Sequence, residues 1–329
     1  MPVAKGGLGI RSVARLAPSA FLASAASTSN LQTMLLPTSH DFPDPEVPRV
    51  TAVWSNRCGG VVPQHPASSK QAAWDDQVTR VSMTEISSSV RDSHHKARWL
   101  ACQDKHSGDW LRATPITSCG LRLDDESIRV AIGLRLGTNL CNPHPCPCGA
   151  AVDVRGTHGL SCKRNKGRLP RHAAFNDIVH RSLTKAGVPA TKEPVGLIRT
   201  DGKRPDGATY VPWHSGKCLA WDATAPDTLA CSYLQDSSVT AGAVAEGAAA
   251  KKTVKYQEIT RSHIFVPLAI ESLGPINAEG LAFLHEIGRR LARVSGDNRE
   301  TAFLMQRISV ANQRYNATAI LGCLPSSVE

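Results

Sequence analysis

Lys203-Arg204-Pro205-Asp206-Gly207 and, after a turn, Leu219-Ala220-Trp221-Asp222-Ala223-Thr224 decide how the chain is read. Each half sets an aspartate in or beside a short apolar run. Pro212, His214, Ser215 and Gly216 lie between them, turn material of hairpin length. The pattern predicts two consecutive strands. Pro205 fixes its own φ and biases Arg204 towards an extended backbone, which delivers Asp206 at a defined place. In the second run Leu219 and Trp221 face one way. Asp222 then shares the other face with Ala220 and Thr224, which are small or polar and leave room for an ion. Two carboxylates at one sheet end are the hard-oxygen donors a divalent cation needs, and the carbonyl of Ala223 adds a third. Asp227 beside Pro226 and Asp236 beside Ser237 read as plain turn residues.

The flanking sequence supplies a fold for that pair. Residues 171–186 predict an amphipathic helix through Phe175, Ile178, Val179 and Leu183, stopped by Gly187. A strand follows at 195–198, with Glu193 at its start. After the two aspartate strands come an Ala-rich helix from about residue 238 to 257, a strand at 263–270, and helices at 277–294 and 299–321. The order α-β-β-β-α-β is that of an α+β fold with an α/β-like core, a mixed sheet covered by helices. Phosphodiester cleavage also needs a positive group near the scissile phosphate. Thr224, not lysine, stands two residues after Asp222. The nearest cations are Lys251, Lys252 and Lys255 on the Ala-rich helix. Lys252, Lys255 and Tyr256 fall on one helical face. The plainer alternative is a helix ending in solvated lysines that complement its dipole.

Upstream, ten cysteines are scattered except for a knot between 141 and 162. Cys146, Cys148, His158 and Cys162 have the donor types of a tetrahedral zinc site. The single residue between Cys146 and Cys148 is tight, which leaves Cys141 or His144 as substitutes. Four protein ligands close the site, so the zinc is structural. Lys163, Arg164, Lys166, Arg168 and Arg171 follow with no acid among them, candidates for phosphate contacts. Residues 67–105 read as helix, with Trp74, Val78 and Val81 at helical spacing. His94 and His95 point about 100° apart and belong to a solvated face. Asp124 and Asp125 sit where a helix cap belongs, and Gly137 stops that helix. Residues 1–66 are rich in Ser, Pro, Ala and Gly, with room for one or two short helices, and 37–66 have linker composition.

The domains expected are therefore 1–66, flexible or irregular; 67–140, a helical linker; 141–170, a zinc knuckle with a basic tail; and 171–324, the α-β-β-β-α-β domain. A net charge of +10 favours an anionic partner, nucleic acid before membrane, and no run of 18 apolar residues predicts a span. No acid precedes Asp41, while Lys5, Arg11 and Arg15 do, a composition that suits a mitochondrial presequence.

Together, Arg204-Pro205-Asp206, Asp222-Ala223-Thr224 and Lys252-Thr253-Val254-Lys255-Tyr256, downstream of Cys146-Pro147-Cys148-Gly149 and His158-x3-Cys162, resemble the restriction-like endonuclease domain of non-LTR retrotransposon polyproteins. That domain has the PD-(D/E)xK nuclease fold, and the likeness runs from about Trp110 to Leu324. The resemblance implies Asp206 and Asp222 as Mg²⁺ ligands, Lys252 or Lys255 as the catalytic lysine, Glu193 as a third acid, and Arg204 near DNA. It implies Mg²⁺-dependent nicking of target DNA in the nucleus, retroelement RNA as a further partner, and a reverse transcriptase portion carried elsewhere. The alternative is a zinc-knuckle nucleic-acid-binding fragment that does not cut. Gly6-Gly7-Leu8-Gly9-Ile10-Arg11-Ser12 resembles the segment following the polymerase in such polyproteins, and no Tyr-x-Asp-Asp occurs.

Overall fold

The computed structural model of the chain describes residues 1–36, 44–165, 167–198 and 202–324. They divide into two compact units, Met1–Arg91 and Asp92–Glu329. The first unit contains α1 (Val13–Leu35), α2 (Glu46–Cys58) and α3 (Gln71–Ser89). Two of these helices lie where the composition suggested short helices or irregular chain. Pro18 sits inside α1 and cannot donate to the carbonyl four residues back. Arg57 supplies the missing donor, its guanidinium reaching Ala14 O at 2.7 Å. Trp54 and Trp74 meet edge to face at 4.9 Å and, with Leu22 and Ala23, form the small core that organises the three helices. Apolar anchors in a polar sequence outweigh its proline content.

The second unit begins at a cap. Asp92 accepts the N–H of His94 at 3.2 Å and starts α4 (Ser93–Gln103), so the single helix expected over 67–105 is two. Asp124 caps α5 (Asp125–Leu136) in the same way, accepting the Ser127 N–H at 2.8 Å, and Gly137 ends it at φ 74°. A two-stranded ribbon follows, β1 (His144–Pro145) and β2 (Ala151–Val152), then the short α6 (His158–Ser161) and the long α7 (Arg168–Lys185).

The main sheet contains β3 (Ala190–Lys192), β4 (Gly207–Thr209) and β5 (Leu219–Thr224). After β5 come α8 (Leu234–Ser237), α9 (Ala243–Lys255), β6 (Ile264–Ala269), α10 (Ala278–Ser295) and α11 (Glu300–Leu321). The strand order is β3-β4-β5-β6, with β3, β4 and β5 antiparallel and β5 parallel to β6. The fold is therefore α+β with a mixed four-stranded sheet. One expected strand is displaced: 195–198 is occupied by a 3-10 turn at Val195–Leu197, and pairing occurs earlier, at Ala190–Lys192. Pro194 cannot donate to a ladder, which ends the strand.

On one sheet face Leu219, Trp221, Ala223, Val266 and Leu268 are buried under Phe175 and Leu183 of α7, Leu284 of α10 and Leu304 of α11. Each large side chain buried there contributes roughly 1.5–3 kcal/mol. Trp221 needs a gap in β4 to fit. A Cβ on Gly207 would stand 2.1 Å from Trp221 Cζ2, closer than any side chain allows. Tyr256 and Phe265 close over Ala220 on the other face, while Ala245 and Ala249 of α9 seat directly on Ala269 of β6. Small residues let α9 approach the sheet closely.

Candidate functional site

Asp206 lies immediately before β4 and is bound to the chain on both sides of Asp222. Its N–H donates to Trp221 O at 3.0 Å, and its Oδ2 accepts the Ala223 N–H at 2.6 Å. Asp222, in the middle of β5, is the more enclosed, with its side chain 4% exposed against 15% for Asp206. Two carboxylates this close and poorly hydrated resist joint ionisation. Burial first, then the charge of Asp206, raises the Asp222 carboxyl above the usual carboxylate range, against the pull of Lys252.

Two cationic side chains come to this pair from helices on opposite sides of the sheet. Lys252 of α9 forms an ion pair with Asp222 Oδ2. His172 of α7 places Nε2 2.9 Å from Asp206 Oδ2. That hydrogen bond raises the imidazole above its ordinary value, outweighing burial. One turn on, Asn176 accepts the Trp221 indole N–H at 3.1 Å, which fixes this part of α7 against β5. Lys255 turns to Tyr256: its ammonium donates to Tyr256 Oη at 2.8 Å and stands 4.4 Å from that ring centroid. Tyr256 in turn donates to Arg204 O at 2.8 Å, tying the end of α9 to the residue two before Asp206.

Glu193 is close to Asp206 through the backbone only. Its N–H donates to Asp206 O at 2.8 Å, while its φ of 50° turns the residue out of the strand and its exposed carboxylate pairs with Arg204. Arg204 is thereby engaged with an acid. Arg171, expected among the phosphate contacts, is 2% exposed. It donates to Asn316 Oδ1 at 2.7 Å and to Ala225 O at 3.1 Å, a core role that its place in the basic run did not suggest. Lys163 and Arg164 are exposed, with Arg164 reaching Pro147 O at 2.9 Å. Lys166 and the Arg168 side chain lie outside the described residues.

A groove of 440 Å³ is lined by Lys252, the partner of Asp222. Lys251, Lys252 and Lys255 line one wall, Thr224 continues from the end of β5, and Ser161 contributes from α6. Its lining runs from Leu160 and Ser161 of α6 to Thr224 at the end of β5, with Arg171 and Asp227 as its other charged residues.

In that cluster Cys146, Cys148, His158 and Cys162 bring one ligand atom each within 4.8 Å of one another. Cys146 and Cys162 sulfurs are 3.7 Å apart, close to the spacing set by a tetrahedral zinc with Zn–S of about 2.3 Å. Cys148 Sγ and His158 Nε2 are 3.2 Å apart. The donors therefore fit zinc. Cys141 packs against the cluster with its sulfur 3.3 Å from Asp153 O, and the two ring nitrogens of His144 face Asn142 O and Cys323 O at 2.8 and 2.9 Å. By contrast the Asp206–Asp222 pair offers two hard carboxylates, the donor type for Mg²⁺, with its charge balanced by Lys252 and His172.

His172 and Asn176 were not singled out by sequence reasoning. A polar pair at i, i+4 on an otherwise apolar helical face was the available signal. No helix among the described residues is long and apolar enough to cross a membrane. No protein-family model matches the chain, and no curated protein is found similar to it.

Proposed function

We propose that residues 171–324 form a Mg²⁺-dependent DNA endonuclease domain of the PD-(D/E)xK type, derived from a retroelement, with the zinc cluster as its nucleic-acid-gripping module. The observation that carries this reading is the meeting of Asp206, Asp222 and Lys252 at one place on the mixed sheet. The strand order β3-β4-β5-β6 and the preceding α7 also agree with an α-β-β-β-α-β core. Asp206 and Asp222 would hold the ion, whose chemistry when bound would be activation of water and neutralisation of phosphate charge. Lys252 stands on the carboxylate, where its ammonium can orient a water and hold a phosphate oxygen. His172 holds Asp206 in place and, once neutral, leaves that carboxylate free for the cation. The lysine wall of the groove binds the phosphates leading to the cut.

The test is nicking of supercoiled DNA with Mg²⁺. Asp206→Asn and Asp222→Asn should each lower the rate by about 100-fold or more, in the range seen when one electrostatic group is removed from an active site. Undiminished cutting by either variant sinks the assignment. A second reading is a domain that binds without cutting. It is favoured by the pairing of both carboxylates with cationic side chains, which balances their charge without a metal. Salt-sensitive DNA binding by a wild-type chain that never nicks would select it.

A further inference from the structure

The zinc cluster has a fifth sulfur beside it. Cys323, just past α11, is buried with Cys146 and Cys162, at 3%, 4% and 3% exposure. The Cys146 sulfur is 3.7 Å from that of Cys162, and Cys323 packs into the same buried cluster. The donors thus fall into an inner layer of Cys146, Cys162 and Cys323, and an outer, partly exposed pair, Cys148 and His158. The position of Cys323 is fixed from outside the cluster, since its carbonyl faces the His144 ring at 2.9 Å. The outer pair is tied less well. Cys148 follows Cys146 by two positions, a tight chelate, and precedes Gly149 in a left-handed turn at φ 91°. His158 begins a helix of only four residues.

We propose that Cys323 is a reserve zinc ligand: when Cys148 or His158 leaves the metal, the Cys323 sulfur takes the open position. The exchange balances simply. One zinc–donor bond breaks and one zinc–sulfur bond forms, and the Cys323 thiol gives its proton to water. Zinc accepts the new set because S₃N and S₄ tetrahedra are both ordinary for it. The swap needs no long excursion, because Cys323 already lies against the two inner ligands. It also binds the end of α11 covalently to the knuckle, so loss of an outer ligand tightens the link between the two.

The full chain loaded with Co²⁺ reports the donor set directly, because thiolate-to-cobalt charge transfer intensifies with each bound sulfur. Wild type and Cys323→Ser should both give the spectrum of three thiolates and one nitrogen. His158→Ala should keep tetrahedral cobalt with a four-thiolate spectrum, and Cys148→Ala should keep three thiolates and one nitrogen. Adding Cys323→Ser to either variant should weaken Zn²⁺ binding by a further 10-fold or more. Equal affinity with and without Cys323 in these backgrounds overturns the proposal, as does loss of the tetrahedral bands in His158→Ala alone. Should an outer-ligand variant fail to fold, the comparison moves to chelator competition on wild type and Cys323→Ser. There the reserve ligand predicts zinc transfer several-fold faster from Cys323→Ser, and equal rates refute it.

Discussion

Lys252 on α9 and Asp222 at the centre of β5 form an ion pair in which the acid is almost wholly enclosed and the lysine one-quarter exposed. The pair spans the sheet–helix interface next to a second carboxylate, so its two halves have unequal effects on stability. Lys252→Met leaves a buried charge facing Asp206 and should cost about 3 kcal/mol, the lower end for a broken buried pair. Asp222→Asn removes the repulsion and should be neutral or stabilising. Urea denaturation of both variants checks this, and the reverse order would contradict the electrostatic account.

Protonation should act in one direction across the site. His172 is raised above 6.5 by Asp206, so its contribution is fully present below that value and is lost as pH rises through its folded pKa. Asp222 is raised above 3.8 and gives the same sign in a lower window. Stability should therefore fall, on account of His172, as the pH rises above 6.5 through its raised folded pKa. His172→Gln should flatten the fall. A wild-type profile that rises over this range would rule the coupling out.

Gly207 holds open the space that Trp221 fills. Gly207→Ala should destabilise the chain by about 1–3 kcal/mol through overpacking, because the new methyl meets a fully buried indole rather than a mobile side chain. A thermal melt unchanged by the substitution would show that β4 shifts freely.

The basic residues should separate into two kinds. Lys251→Ala and Lys255→Ala, on the groove wall, should weaken DNA binding across sequences and lower the salt slope by about 1 each. Arg171→Ala should leave the slope alone and reduce stability by about 1.5–3 kcal/mol, from its buried hydrogen bonds. Titrations at several salt concentrations distinguish them.

Much of the second unit was legible because its signals are local. Asp124 caps and Gly137 ends α5 where the residue types demand, and the alternation around Asp222 separates Trp221 from Ala220 on opposite sheet faces. The parts that were not legible depend on distant partners. β3 is a three-residue strand whose apolar content is slight, and Val195 and Ile198 beyond it looked more strand-like while standing exposed. Arg171 could not be told from its basic neighbours until Asn316, far along the chain, gave it a partner. His172 was hidden in the same run. The division of labour between Lys252 and Lys255 lay beyond spacing too, since both occupy one face and only the position of Tyr256 separates their targets.

Helix α9 is anchored at both ends. Glu271 accepts the Ala245 N–H at 2.9 Å near its start, where Gly242 offers no side-chain cap, and Tyr256 holds its finish to Arg204. A slip of one turn would carry Lys252 about 5.4 Å along the axis and off Asp222. With both ends clamped, the ammonium is part of the resting framework rather than something recruited by a ligand. Mechanical precision that strand β5 would give to a lysine of its own is obtained here from a two-point mount, and Thr224 is released to shape the mouth of the groove instead.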